Sequence, residues 1–235
     1  MSTARPWNRP RVLIGGAAVA VVVVVLVAVA VWRGRAPDTQ AAAHVRATPS
    51  SAGTIAGPKA PVVPPAMMQG SAKAPVLIEE FADYQCAACG AFGRTTEPVL
   101  VKKYVDTGAV RILWRDMPDN GKASEAAAIA GRAAARQNKF WPFNRAVFAL
   151  KPTERNGKLT ASALRGAAKQ AGLDLGKYDA DIKDPALRNA VEQDQAFGEA
   201  IGAPGSPAFL INGEAFFGNQ SLAKFEKAID KARKG

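Results

Sequence analysis

The chain has 235 residues, with 31 Lys and Arg against 20 Asp and Glu for a net charge of +11, one histidine and two cysteines. A structural zinc needs four ligands, and the single histidine, His44, lies in a Pro/Ala-rich stretch far from the cysteines; that composition excludes a Cys2His2 site, and also hydrolysis by a Cys/His or Ser/His/Asp set. The first 70 residues carry +6 and the remainder +5 with the signs mixed, and the remainder has no basic run with interleaved aromatics, so nucleic acid is not an expected partner.

Residues 1–11 form a basic segment with Arg5, Arg9 and Arg11. Val12 to Trp32 is free of charge and, at about 1.5 Å per residue, spans about 31 Å, the thickness of a bilayer core. It reads as one transmembrane signal anchor. A secretory signal peptide competes, with Ala28-Val29-Ala30 as its small-residue cleavage site, but the apolar stretch exceeds the roughly 7–15 residues of a signal h-region. Either reading exports the rest of the chain, and anionic lipid accounts for the basic end. Residues 33–71 are rich in Ala, Pro, Gly and Ser, with Met67 and Met68 at the end giving no clear signal, and are expected to be a disordered tether.

Residues 72–235 are of single-domain size. Val76 to Ala82 is a near-continuous apolar run suited to a buried central strand. A helix is expected from Ala87 to about Val105, broken or restarted at Pro98, then a strand at Val110 to Arg115 that would be parallel to the first. Helices are expected next at Lys122 to about Asn138, Phe140 to Leu150, Thr160 to Ala171 and Pro185 to Ile201, the last with Asp184 as N-cap before Pro185. Phe140, Trp141, Phe143 and Phe148 have the helical spacing of core residues rather than of a ligand box. Ala208 to Ile211 and Ala215 to Phe217 are strands joined by an Asn212-Gly213 hairpin turn, and Ser221 is expected to cap a last helix to about Lys231. The order β-α-β, helices, β-β-α defines an α/β thioredoxin-like fold with a helical insertion at about 119–202.

Cys86 and Cys89 fall within one helical turn directly after the central strand, where a pair with two intervening residues is a redox motif of the thioredoxin type. A passive clip is the other reading, but so short a loop stabilises little. Cys86 precedes the first helical turn, where unpaired N–H groups and the helix dipole favour a thiolate, so it is the expected nucleophile. Cys89, one turn deeper, is the expected resolving thiol. A disulfide-forming pair persists in an oxidising compartment, which agrees with export.

Three segments together carry a resemblance: Ala74 through Gly90 with its Glu79-Glu80-Phe81 and Cys86-Ala87-Ala88-Cys89, Lys139-Phe140-Trp141-Pro142-Phe143, and Gly205-Ser206-Pro207-Ala208-Phe209. Over roughly Gly70 to Lys231 the chain resembles DsbA-like thiol:disulfide oxidoreductases. The resemblance implies that Glu80 is the buried acid beneath the active-site helix; a buried carboxylate without a basic partner has a raised pKa and can exchange a proton with Cys89. Glu79, on the opposite side of the strand, is expected to be an exposed strand-end acid. The resemblance also implies a cis peptide bond before Pro207, leaving the backbone of Ser206 to pair with an extended substrate. Two departures stand out. Ala87-Ala88 replaces a dipeptide that is usually Pro followed by an aromatic residue or His, which implies a weaker oxidant than His-containing members, and Ser206 stands where Thr or Val is common.

The expected function is extracytoplasmic thiol-disulfide exchange on unfolded or newly exported proteins, in the direction of disulfide formation. A membrane redox partner would recycle the Cys86-Cys89 disulfide, and no cofactor or metal is expected. The alternatives are a reductase or isomerase on the same fold, or a non-catalytic binding module.

Overall fold

A computed structural model describes residues 58–155 and 159–235. The basic segment at 1–11, the span at 12–32 and most of the tether lie outside the described residues, and among the described residues no helix is long and apolar enough to cross a membrane.

Five strands form one mixed sheet in the order β1-β3-β2-β4-β5: β1 (Met68–Gln69), β2 (Val76–Ala82), β3 (Val110–Asp116), β4 (Ala208–Ile211) and β5 (Glu214–Phe217). β2 and β3 are parallel, with Ile78 opposite Ile112 and Glu80 opposite Trp114. The other pairings are antiparallel. β2 is central, and its largely apolar character, interrupted by Glu79 and Glu80, comes from being covered on both faces. Val76 and Ile78 join the main core with Phe92, Phe209 and Phe225, whereas Phe81 joins a second cluster with Met117, Phe197 and Leu210.

Helix α1 (Ala87–Thr95) stops where Pro98 enters; α2 (Glu97–Leu100) restarts with that proline in its first turn, where a missing N–H costs no hydrogen bond, and runs into a π-helical turn at Val101–Val105. Between β3 and β4 lie α3 (Lys122–Arg136), α4 (Phe140–Ala149), α5 (Pro152–Arg155), α6 (Ala161–Gln170), α7 (Leu175–Asp181) and α8 (Pro185–Ala200); α9 (Leu222–Ala232) ends the fold. Asp184 accepts from Ala186 N and caps α8 as its sequence predicts. α8 also covers one face of the sheet, with Phe197 tilted 5.8 Å from Phe81. The aromatic residues of α4 are core: Phe140, Trp141, Phe143 and Phe148 are all buried, and Phe143 and Phe148 pack on Tyr84, which stacks on Trp114 at 5.0 Å.

Four expectations are corrected. The tether does not run to residue 71: Met67 is fully buried and Met68 and Gln69 pair with Leu113 and Ile112, because the outer edge of β3 offers backbone partners that these two residues take. Two short helices, α5 and α7, fall where none was expected. Glu79 is not an exposed acid, since Arg115 donates to it through Nε and NH2 at 2.9 and 2.7 Å. Ser221 occupies the N-cap position of α9, but its side chain makes no capping bond. The Asn212-Gly213 turn forms as expected, with φ of 48° and 82° at its two corners, the left-handed values that favour this dipeptide. Asn212 then fastens the turn to the sheet, its Oδ1 accepting from Leu77 N at 2.8 Å and its Nδ2 donating to Pro75 O at 3.2 Å.

Candidate active site

Where β2 ends, the chain must turn from a buried strand into α1, and Asp83 makes that turn. One of its oxygens accepts from Gln85 N at 2.7 Å; the other takes Asn120 N and Nδ2 at 2.9 and 2.7 Å. Cys86 then stands at the N-cap of α1 in extended conformation, and its sulfur accepts from Cys89 N at 3.1 Å. The sulfur thus does what a Ser or Asp oxygen does at other helix starts, and it does so better as an anion. Both cysteines are free thiols, Cys86 half-buried and Cys89 fully buried.

Their acidities diverge for identifiable reasons. The Cys89 thiol hydrogen-bonded to the Cys86 sulfur contributes most, and with the backbone donors of the helix start it pulls Cys86 down to about 6 against the opposing effect of burial. Burial pushes Cys89 far up, and its role as donor to Cys86 pushes it further. A thiolate at about 6 lies between roughly 7 for thioredoxin and roughly 3.5 for strongly oxidising enzymes, in line with an uncharged Ala87-Ala88 pair.

Ser206-Pro207 is a cis peptide bond, as the resemblance implied. It places Ser206 O 3.5 Å from the Cys86 sulfur, which donates to it. Ser206 N donates to Asp119 Oδ2 at 2.7 Å, so an acid that no sequence pattern singled out holds the residue beside the cysteines. Burial raises the Asp119 carboxyl, and Ser206 counteracts the rise.

Glu80 lies on β2 opposite Trp114 and Phe209, is 1% exposed, and neither of its oxygens has a hydrogen-bond partner among the described residues. Burial first, and the neighbouring Glu97 second, hold its carboxyl well above the ordinary range. Glu97 of α2 is a second buried acid. It accepts from Gln69 Nε2 at 2.8 Å, and burial pushes it up to about 7. The structure therefore brings Glu80, Glu97 and Gln69 together, and shows no hydrogen bond from Glu80 to Cys89.

Two further residues tie the cysteine loop to the helical block. Gln85, buried, donates to Ser124 Oγ at 2.9 Å and Asn120 O at 3.2 Å and accepts from Leu159 N at 3.2 Å. Arg155, at the end of α5, donates through NH1 to Tyr84 O and Cys86 O, each at 2.9 Å. Among the described residues no group of three or more His, Cys, Asp or Glu could hold a metal ion.

An acidic, accessible thiol that caps a helix, a buried partner thiol one turn on and a cis-proline loop against the first sulfur define a thiol:disulfide oxidoreductase of the DsbA-like type. A family model described as thioredoxin matches residues 63–231, and the chain belongs to that family. The probable disulfide bond formation protein D of Bacillus cereus is 28% identical over 169 residues, covering 70% of this chain and 77% of the relative. Among solved structures, oxidised BdbD from Bacillus subtilis superposes with a TM-score of 0.68 at 22% identity, over 76% of this chain and 99% of that one. The alpha-DsbA1 of Wolbachia pipientis does so with 0.65 at 24% identity, over 72% and 90%. At these identities the structures speak for the fold; the chemistry is carried by the cysteines of this chain.

Proposed function

We propose that the chain introduces disulfides into newly exported proteins, with its domain on the extracytoplasmic side and residues 12–32 holding it at the membrane. The observation that carries this reading is the split between the two thiols, with Cys86 at about 6 and Cys89 held protonated by burial. The names of its Bacillus relatives point the same way.

In this reading the enzyme begins as the Cys86–Cys89 disulfide. A substrate thiolate attacks the Cys86 sulfur, the bond to Cys89 breaks, and Cys89 leaves as a thiolate that takes up a proton. Glu80, whose carboxyl is raised by burial without a hydrogen-bond partner among the described residues, supplies that proton and later recovers it. A second substrate thiolate attacks the substrate sulfur of the mixed disulfide and expels Cys86 as a thiolate. Two electrons have moved from substrate to enzyme, and a low Cys86 pKa makes that sulfur the better leaving group. Once Cys86 carries no proton, Ser206 O is free to accept from a substrate backbone N–H. A membrane redox partner takes the two electrons and restores the disulfide.

The test is refolding of reduced ribonuclease with the full chain. Oxidised protein is expected to restore activity stoichiometrically, and Cys86→Ser to abolish this while leaving the fold intact. Full activity in the Cys86→Ser protein would contradict the proposal. Equilibration with glutathione decides direction, since a strongly reducing potential would favour a reductase.

A further inference from the structure

We infer that Arg155 is the positioning cation of the cysteine pair: its guanidinium, carried in from the helical block, grips the Cys86 loop by two carbonyls and places a buried positive charge beside the first turn of α1, where the Cys86 thiolate is the anion that accommodates it. The inference rests on the reading of Cys86 as the attacking thiol.

Arg155 is fully buried, yet it makes no ion pair among the described residues. NH1 is used by Tyr84 O and Cys86 O, while Nε and NH2 have no partner among the described residues. The guanidinium lies over the Phe148 ring at 5.5 Å, and its other side rests on Gly90, where any Cβ would overlap it. Glycine one residue after the second cysteine is thus explained by the space this cation occupies.

The surroundings make the charge costly. A cation at a helix N-terminus opposes the helix dipole, and burial without a carboxylate removes the usual compensation. The charged and titratable groups around it are Arg94 of α1, Asp83 after β2, Cys86 and Cys89. Arg94 repels it. Asp83 attracts the guanidinium but spends its oxygens on three amide donors from Gln85 and Asn120, and Cys89 is held protonated. The Cys86 sulfur is thus the group whose ionisation adds a further negative charge there. By reciprocity, a thiolate that stabilises the guanidinium is stabilised by it to the same extent. Only the reduced protein carries the thiolate, so Arg155 favours the dithiol over the disulfide and makes the pair more oxidising. The charge missing between Cys86 and Cys89, where the chain has only alanines, is delivered from α5.

The experiment measures, on the full chain, the pH dependence of Cys86 alkylation and the equilibrium with glutathione. Arg155→Met keeps length and the contact with Phe148 but drops the charge; it is expected to move the alkylation midpoint up and to shift the glutathione equilibrium roughly tenfold toward the disulfide, or about 30 mV. Arg155→Lys should restore part of both. Gly90→Ala, which displaces the guanidinium without removing it, should shift both in the same direction. Unchanged midpoint and equilibrium in a folded Arg155→Met protein would overturn the inference; should that variant not fold, no change in Arg155→Lys and Gly90→Ala would overturn it instead. If the unmodified chain itself shows no selective alkylation of Cys86, the reading of the site fails, whatever the variants do.

Discussion

Glu79 and Glu80 are adjacent on the same central strand and have opposite fates. On one face of the sheet Glu79 and Asp194 share Arg115, and at the end of β3 Arg132 bridges Asp194 to Asp116, which accepts from Trp114 Nε1 at 2.8 Å. Every charge there has an opposite charge, and the network ties α3 and α8 to β3. On the other face, among the described residues, Glu80 has no hydrogen-bond partner, Glu97 has one amide, and Arg155 has two carbonyls and no carboxylate. Burial costs a charged group heavily unless it is paired; the first set is held together by opposite charges, although burial still raises the Asp194 carboxyl to about 6, whereas the second lacks such pairs. The exchange chemistry sits on the second.

The sharpest way to break this contrast is to unpair the paired face. Asp194→Ala takes the shared carboxylate from Arg115, Arg132 and Asp116 N, leaving the two arginines one acid each, Glu79 and Asp116, and is expected to cost about 3–5 kcal/mol in urea unfolding, with thiol chemistry unchanged in whatever protein folds. A loss below about 1 kcal/mol would mean the network is not cohesive.

The opposite sign is expected across the sheet. Glu97 rises from 4.5 in the unfolded chain to about 7 when folded, so the folded state binds the proton more tightly and stability falls as pH rises through that window, levelling off above about 7. Glu97→Gln keeps an acceptor for Gln69 and should stabilise the protein by roughly 3 kcal/mol above about pH 7, with no gain below the carboxyl's ordinary range. A pH-independent effect would contradict this.

Glu80→Gln sharpens the comparison by separating stability from chemistry. It should raise stability at neutral pH and slow the step that protonates Cys89 by roughly 100-fold, read by stopped-flow with the oxidised chain and a model peptide dithiol. An unaltered rate would remove Glu80 from proton transfer. The smallest effect belongs to Asn212→Ala, which loses the bonds to Leu77 and Pro75 at the start of β2, the end away from the cysteines; about 1–2 kcal/mol of stability should go, with the redox potential unmoved.

What could be read from the chain divides along the same line. Cys86 and Cys89 are legible because the spacing and the preceding apolar run state the chemistry locally, and the Asn212-Gly213 hairpin and the Asp184-Pro185 helix start are legible for the same reason. Glu80 and Pro207 needed the family resemblance, since neither parity nor a proline before a strand specifies burial or a cis bond. β1 escaped because two residues carry no period, and α7 because its cap, Asp174 accepting from Gly176 N and Lys177 N, opens a helix of only seven residues. Glu97, Asp119 and Arg155 were invisible: their roles come from contacts 28, 87 and 69 residues away, with Gln69, Ser206 and Cys86. Local pattern finds the reacting sulfurs, and only the fold assembles the charges around them.

The most direct measurement is the ultraviolet titration of thiolate absorbance in the reduced chain. One thiolate per molecule should appear with a midpoint near 6 and be lost in Cys86→Ser, while Cys89 stays protonated to the alkaline limit of the folded state. A single transition near the ordinary cysteine value of 9, or a first thiolate that survives in Cys86→Ser, would contradict the assignment of Cys86 as the activated sulfur.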